Sequence, residues 1–150
     1  MAADIADEQH DKQNLIVHRG VYNFVVLNRY PYTNGHLMVV PYAHTAELSG
    51  IEEAAAAELM RLMRVAEGHL RNLYRPDGLN LGMNIGESAG AGIAGHIHMH
   101  VLPRWFGDAN FMTTIGETRI LPEELDVTWQ RVHEAFATVE ADSGSVRPKP

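Results

Sequence analysis

Three histidines at alternating positions constrain the fold of this chain more than any other feature. Residues 96–101, His-Ile-His-Met-His-Val, alternate imidazole and apolar side chains. Successive side chains of a β-strand point to opposite faces, so residues 96–105 are predicted to form one strand. His96, His98 and His100 then share one face, and the apolar residues between them enter a hydrophobic core.

A glycine-rich segment precedes the histidines. Residues 84–95 contain glycines at positions 86, 90, 92 and 95. Glycine lets the backbone approach a ligand closely, and consecutive backbone N–H groups form concavities that bind anions. Imidazoles beside exposed amides favour a phosphate ligand, although glycines alone are also typical of a plain tight turn.

Two other interpretations of the histidines remain open. Neutral imidazole is a common metal ligand, and a His-x-His pair on a strand can bind zinc. Histidines beside apolar residues can also be purely structural, provided that their polar atoms have partners. The chain has no cysteine, and no carboxylate lies between Ser88 and Trp105. The shortage of metal ligands favours phosphate over metal.

The segment from His96 to Leu102 resembles the signature of the histidine triad superfamily of nucleotide hydrolases and transferases. The pattern is His-φ-His-φ-His-φ-φ, where φ is apolar. The resemblance covers roughly residues 15–140. Within the superfamily, the chain resembles the branch of bacterial diadenosine tetraphosphate phosphorylase, also called ATP adenylyltransferase. It is carried by the segments 27–31, 35–41, 84–86, 88–92, 103–105 and 107–111.

The resemblance implies a catalytic role for the three histidines. His98 would be the nucleophile, attacking an α-phosphorus to give a nucleotidyl-histidine. An imidazole with a pKa of ~6.5 is mostly unprotonated at neutral pH, as this role requires. His96 and His100 would stabilise phosphate oxygens and the leaving group. The sequence does not show which acceptor fixes the tautomer of His98.

The same resemblance implies a set of nucleotide-binding and phosphate-binding residues. Asn28 matches a position that binds ribose hydroxyls, although an asparagine at a strand end is also typical of a turn. His36 matches a histidine near the nucleophile, or is a packed residue after the Gly35 turn. The remaining candidates are Leu27, for the base, and Asn84, Gly90, Ala91 and Gly92, for the phosphates. Phe24 and Val26 are further candidates for the base wall, depending on strand register.

The chain departs from the family pattern at two places. Many members carry Gln-Ser or Gln-Thr before the triad, where this chain has Gly92-Ile93. Assistance to the leaving group would then fall to backbone amides, water or Asn84. The cysteine pair that usually binds zinc is missing, so we expect no structural metal. No cofactor is expected either, although a divalent cation can accompany a polyphosphate substrate. For Arg104 and Trp105 two roles stay open, a contact with the distal phosphates or a contact with the partner in a dimer.

Three functions are compatible with these residues. The first is cleavage of dinucleoside polyphosphates through a nucleotidyl-His98 intermediate, with phosphate or water as the second acceptor. The second is hydrolysis of nucleoside phosphoramidates through the same intermediate. The third is a nucleotide-binding or metal-binding protein with little turnover.

Composition limits the class of protein. The 150 residues suit a single domain, and 45% hydrophobic with 21% charged residues is typical of a soluble globular protein. The net charge of −7 argues against nucleic-acid partners. No apolar run approaches a membrane span, residues 1–14 do not resemble a signal peptide, and cysteines are absent; we therefore expect a cytoplasmic protein.

The periodicity predicts an α+β fold of the histidine triad type, an antiparallel sheet of about five strands with two main helices. Ser49 and Glu52 suggest a capping box for a first helix, whose apolar stripe Met60 and Met63 would widen. His69 on this helix is expected to be solvated or capping, and Pro122 to open the second helix. The second helix has an apolar stripe at spacings of four and three, formed by Leu125, Trp129, Val132, Phe136 and Val139. Predicted boundaries are a flexible segment 1–14, a domain 15–140 and a flexible tail 141–150. The resemblance implies a homodimer whose sheets continue across the interface, and the first helix offers a broad apolar face for this contact. A higher assembly, such as a tetramer, stays open.

Overall fold

A computed structural model describes residues 8–110, 113, 115–116 and 122–143, with side chains described as far as 138. Its five strands and two α-helices, in chain order, are β1 (Ile16–Arg19), β2 (Asn23–Leu27), β3 (Leu37–Pro41), α1 (Glu53–Tyr74), β4 (Gly78–Met83), β5 (Met99–Arg104) and α2 (Leu125–Ser143). The strands form one sheet in the order β1-β2-β3-β5-β4, and every neighbouring pair is antiparallel. The predicted fold class is confirmed.

Both helices cover the same face of the sheet. Alternate strand residues such as Val25, Val39 and Val101 are fully buried on that face. The helices contribute an apolar stripe to the same core: Leu59, Leu62, Met63, Ala66 and Leu70 from α1, with Trp129, Val132 and Phe136 from α2. The 3.6-residue period of the helices and the two-residue period of the strands therefore meet in one core.

The opposite face of the sheet carries a smaller apolar cluster. Ile16, Phe24 and Val40 are buried there, with Val26 and Met38 packed against them. Since β2 and β3 alternate between the two clusters, these strands are apolar on both faces. The candidate site lies on this second face of the sheet.

The beginning of α1 differs from the prediction. Ser49 lies in a short 3-10 turn, Leu48–Gly50, and Glu52 is the N-cap residue without a side-chain capping bond. The predicted capping box is therefore wrong, because the chain is extended at Ile51 and Glu52 before the helix starts. The helix ends at Tyr74, where Arg75 adopts a left-handed conformation.

Two side chains of α1 also lie elsewhere than predicted. Met63 is buried but Met60 is 54% exposed, because the core-facing stripe at positions 59, 62 and 63 excludes position 60. His69 was expected to be solvated or capping, but the centroid of its ring lies 4.7 Å from that of Phe136 on α2. Burial first, and nearby His18 second, lower the pKa of His69.

The second helix begins later than predicted. It starts at Leu125, three residues after Pro122, so Pro122 is not its first residue. The apolar stripe is confirmed at Trp129, Val132 and Phe136, whereas the side chain of Val139 is outside the described residues. The helix extends to Ser143, and so includes the first residues of the predicted tail.

A buried carboxylate joins α1 to the β1–β2 turn, which periodicity could not predict. Glu58 accepts hydrogen bonds from the backbone N–H groups of Val21, Tyr22 and Asn23 and from the side-chain amide of Asn23, at 2.7–3.0 Å. Burial acts to raise the pKa of Glu58, but these donors outweigh it and lower the pKa. The ionised carboxylate thus holds the hairpin turn.

The folded part of the chain begins before the predicted boundary at residue 15. Residues 8–10 form a short 3-10 helix, and Asp11 pairs with Arg19 of β1 at 2.6 Å. Among the described residues, no helix is long and apolar enough to cross a membrane.

Candidate active site

The three histidines lie where the chain enters β5. The strand begins at Met99, so the prediction of a single strand over 96–105 is wrong at its start. The backbone N–H of Ile97 donates to the carbonyl of Thr45 at 2.8 Å, in the loop after β3, and not to a strand. His100 is in the strand and lies opposite Met38 of β3. Val101 faces the helices, so His100 is directed to the second face of the sheet.

His98 has its tautomer fixed by its own segment. Its Nδ1 lies 2.9 Å from the carbonyl oxygen of His96. A carbonyl can only accept, so Nδ1 carries the proton and the Nε2 atom of the neutral ring keeps its lone pair. This carbonyl is the acceptor that the sequence could not identify, and it gives His98 the tautomer that a nucleophile at Nε2 requires.

The orientation of His100 is fixed by His36, a buried histidine that immediately precedes β3. His36 is fully buried, and its Nδ1 accepts the backbone N–H of Tyr32 at 3.2 Å. The proton of neutral His36 is therefore on Nε2, which lies 2.9 Å from Nδ1 of His100. His100 then carries its proton on Nε2, as a donor. Burial first, and His98 second, lower the pKa of His100, which keeps this ring neutral.

His96 is held by the end of β3 and the loop that follows it. Its Nε2 lies 2.8 Å from the carbonyl oxygen of Pro41, to which it donates. Its ring is 4.9 Å from that of His44, an exposed histidine that the sequence analysis did not select. The sequence did not indicate His44 as a site residue, because the β3–α1 loop that carries it lies beside residue 96 only in the folded chain.

A cavity of about 350 Å³ lies on the second face of the sheet, within the range of small-molecule sites. Its described lining consists of Asn14, Leu15, Ile16, Phe24, Val26, Leu27, Asn28, Arg29, Tyr30, Met38, Val40, Ile93, His96 and His98. The register places Phe24 and Val26 on this face, whereas Leu27 also belongs to the helix-side core. The cavity therefore brings apolar walls, Asn28 and two of the three histidines together.

Asn28 lies at the cavity and also forms a turn. Its Oδ1 accepts the backbone N–H of Tyr30 at 3.0 Å, and its Nδ2 lies 3.3 Å from Nδ1 of His36. The turn interpretation is therefore supported, and the turn holds the side chain in the cavity lining. A ribose-binding role stays a prediction.

The glycine loop uses some of its amides internally. The N–H groups of Gly90 and Ala91 donate to the carbonyls of Glu87 and Gly86, at 2.9 and 3.3 Å. Nδ2 of Asn84 donates to the carbonyl of Gly90 at 3.3 Å. Gly86 and Gly90 have φ of +83° and +86°, a conformation that favours glycine. Gly90, Ala91, Gly92 and Asn84 are outside the described cavity lining, while Ile93 of the same loop is part of it.

Arg104 is committed to a structural ion pair. Its guanidinium binds Asp108 through two hydrogen bonds of 2.6 and 2.7 Å and donates to Asn80 at 2.7 Å. The Arg104 hydrogen bonds, against the effect of burial, lower the pKa of Asp108 to about 2. These contacts fix the loop after β5, including the backbone N–H of Trp105, which donates to Asp108.

Metal ligands do not converge in the described part of the chain, where no three His, Asp or Glu side chains are arranged to hold an ion. The absence of a structural metal stays a prediction.

An antiparallel sheet with helices on one face, and histidines beside an apolar cavity on the other, is the architecture of a small-ligand site with potential for nucleophilic chemistry. The profile described as HIT domain matches residues 9–107. The chain therefore belongs to the HIT domain family.

Relatives extend this match. The chain is 48% identical over 115 residues to a protein of Mycobacterium tuberculosis named AP-4-A phosphorylase, covering 77% of this chain and 59% of the relative. The chain thus spans about three-fifths of the length of that relative. Among solved structures, a hypothetical histidine triad nucleotide-binding protein from Sulfolobus tokodaii is 26% identical, with a TM-score of 0.71 and coverage of 90% and 91%. A zinc-bound histidine triad family protein from Mycobacterium smegmatis is 24% identical, with a TM-score of 0.69 and coverage of 86% and 88%, and shows the fold alone.

Proposed function

We propose that this chain is an enzyme that cleaves dinucleoside polyphosphates of the diadenosine tetraphosphate type at an α-phosphate, with inorganic phosphate as the preferred second acceptor. The observation that carries the proposal is the tautomer of His98. Its Nδ1–H is bound to a backbone carbonyl, so the Nε2 lone pair remains for a ligand in the adjoining cavity. The name of the M. tuberculosis relative supports phosphate as the acceptor.

In the first step, Nε2 of His98 attacks the α-phosphorus. A P–N bond forms and the P–O bond to the remaining polyphosphate breaks, so diadenosine tetraphosphate gives adenylyl-His98 and ATP. The developing positive charge on the ring is stabilised by the carbonyl of His96 at Nδ1. The neutral His100, as an Nε2–H donor, is suited to a non-bridging phosphate oxygen.

In the second step, an oxygen of inorganic phosphate attacks the same phosphorus. The P–N bond breaks, ADP is released and His98 recovers its lone pair. Water at the same position would give AMP, and so would make the enzyme a hydrolase. Splitting one displacement into two leaves room for either acceptor, because each enters after the polyphosphate has left.

We also propose that the chain forms a homodimer, through β4. This strand is at an edge of the sheet, and its residues from Asn80 to Gly82 are exposed. An open edge presents unpaired backbone groups that a second strand can bind. The apolar face of α1, which the sequence analysis offered for this contact, is instead buried against the sheet of its own chain.

The proposed activity is tested with diadenosine tetraphosphate in the presence and absence of inorganic phosphate. Equal amounts of ADP and ATP that appear only with phosphate are the expected result. Formation of AMP and ATP without phosphate would show that the enzyme is a hydrolase and not a phosphorylase. Adenosine phosphoramidate serves as a second substrate, and faster turnover of it would favour that class. No turnover of any of these would contradict the proposal of an enzyme.

A further inference from the structure

The wall of the cavity farthest from the histidines is made by a short segment before β1, residues 11–15, here called the strap. Asn14 and Leu15 of the strap line the cavity. The strap is held at its start by Asp11, whose carboxylate accepts three hydrogen bonds of 2.6–3.1 Å from the guanidinium of Arg19. The backbone N–H of Ile16 closes the strap by donating to the carbonyl of Asp11 at 2.8 Å.

The strap has a strained backbone at the cavity. Leu15 is buried and has a φ of +62°, in the left-handed region that leucine rarely adopts. The strain is held by backbone hydrogen bonds from Leu15 to Lys12 and from Leu27 to Leu15. Strained residues persist where the surrounding structure over-determines them, and they are concentrated at ligand clamps. This conformation fixes the direction of Asn14 relative to β1.

The dimensions of the sheet place the strap opposite the nucleophile. The strand order puts β5 three spacings from β1, and at about 4.8 Å for each spacing the two ends of the cavity are roughly 14 Å apart. Ile16, Val26 and Met38 lie in register across β1, β2 and β3, and form an apolar floor between the ends. A nucleotide whose α-phosphate lies at His98 would extend its base along this floor, with the outer edge of the base towards the strap.

Asn14 is the side chain of the strap that can recognise such an edge. It is half-buried, and its carboxamide offers both a donor and an acceptor. Arg29 and Tyr30 also line the cavity, but both are exposed, and Arg29 donates to the backbone carbonyl of Gln13 at 3.3 Å. Asn28 and His98 would lie at the ribose and phosphate ends of a bound nucleotide. We propose that Asn14 hydrogen-bonds the edge of the base and selects adenine over guanine, and that the Asp11–Arg19 pair positions it. This inference rests on the proposed function, because it assumes that a nucleotide occupies the cavity.

The chemistry explains the direction of the selection. Adenine presents N6–H as a donor beside N7 as an acceptor, and a carboxamide can pair with both atoms. Guanine presents two acceptors, O6 and N7, so one half of the carboxamide would face a like group. A good pair of this kind discriminates between bases by about ten- to a hundredfold in affinity.

The test is calorimetric binding of AMP and of GMP to the full chain. The wild type is expected to bind AMP at least about tenfold more tightly. Asn14→Leu, which keeps the side-chain size but removes both polar atoms, should bring the two affinities within about threefold. Gln13→Leu makes a comparable change at the neighbouring exposed residue and should keep the wild-type preference. Circular dichroism establishes folding, and Asn14→Ala provides a second variant.

The positioning role of the ion pair has its own readout. Asp11→Asn should weaken AMP binding and raise KM for diadenosine tetraphosphate about tenfold while kcat changes little, because the histidines are not touched. Glu8→Gln, which neutralises a nearby exposed carboxylate, should change neither value. A variant that lowered kcat with KM unchanged would overturn the positioning role.

The outcomes separate this inference from the proposed function. AMP selectivity that disappears in Asn14→Leu supports the inference even if the wild type turns over none of the tested substrates. Equal affinities of the wild type for AMP and GMP, or an unchanged preference in Asn14→Leu, would overturn it although the enzyme were active. Absence of binding of both mononucleotides would overturn the occupancy of the cavity by a nucleotide, and the inference with it.

Discussion

Nε2 of His36, a fully buried residue, donates to Nδ1 of His100 across 2.9 Å, between residues that are 64 positions apart in the chain. The direction of this bond is set by the backbone N–H of Tyr32, which occupies Nδ1 of His36. A buried histidine outside the motif therefore determines which nitrogen of the third motif histidine carries its proton.

His36→Phe should reduce kcat about ten- to a hundredfold, since one hydrogen bond of about 1–3 kcal/mol that orients His100 is lost. Affinity for AMP should change less, because His36 is outside the described cavity lining. Tyr32→Phe is the matched control, since the donor to His36 is a backbone group that this variant retains. Steady-state kinetics of both variants checks the expectation, and equal losses in the two would argue against it.

His98→Ala should lower kcat at least ~10³-fold while folding and AMP binding are kept, because the nucleophile is removed and the cavity walls remain. His96→Ala and His100→Ala should cost less, since neither forms the bond to phosphorus. Rapid acid quench with radiolabelled diadenosine tetraphosphate, followed by peptide mapping, should find an acid-labile adenylyl adduct on His98. Near-normal activity of His98→Ala, or an adduct on His36 or His100, would refute the mechanism.

Glu58→Gln should lower the free energy of unfolding by about 2–3 kcal/mol. One carboxylate oxygen would become an amide group facing backbone N–H donors, and the charge that strengthens the remaining bonds would be lost. Glu134→Gln on α2, at an exposed position, is expected to change it by less than about 0.5 kcal/mol. Urea unfolding of both variants measures the difference, and similar values would show that the hairpin turn does not depend on Glu58.

Stability should fall as the pH decreases from 7 towards 5. The pKa values of His69 and His100 are lowered in the folded state, so the unfolded chain binds more protons below about 6.5. Their contribution is complete above the unfolded pKa and is lost as the pH falls through the folded values. His69→Leu should weaken this pH dependence, because Nε2 of His69 is buried without a hydrogen-bond partner in the described chain. Urea unfolding at several pH values is the measurement, and an identical dependence in wild type and variant would contradict this assignment.

Leu81→Lys should convert a dimer into a monomer, because it places a charge on the edge strand β4. Leu81 is 45% exposed, and Val127 on α2 is 49% exposed, so Val127→Lys is a matched control away from this edge. Sedimentation of wild type and Val127→Lys should give twice the 16.7 kDa chain mass, and Leu81→Lys that mass alone. A monomeric wild type at micromolar concentration would disprove the dimer.

The sequence alone determined the elements whose information is local and repeated. The two-residue alternation around β5 and the three- and four-residue spacing of α1 and α2 predicted the strands, the helices and their buried stripes, because side-chain periodicity follows from backbone geometry. It also predicted the family, which the match over residues 9–107 confirms. Helix starts were less well predicted, since Ser49 and Pro122 have local propensities that the surrounding chain overrides.

Only the tertiary structure decided the contacts between distant residues. The pairing of His36 with His100 and the closing of the cavity by Asn14 and Leu15 each depend on how β1, β3 and β5 are ordered in the sheet. Glu58 likewise reached the β1–β2 turn from a helix more than 30 positions away. Side-chain periodicity specifies which face of a helix or strand a residue occupies. It does not specify which other element packs against that face, so the partner of each residue is decided by the tertiary structure.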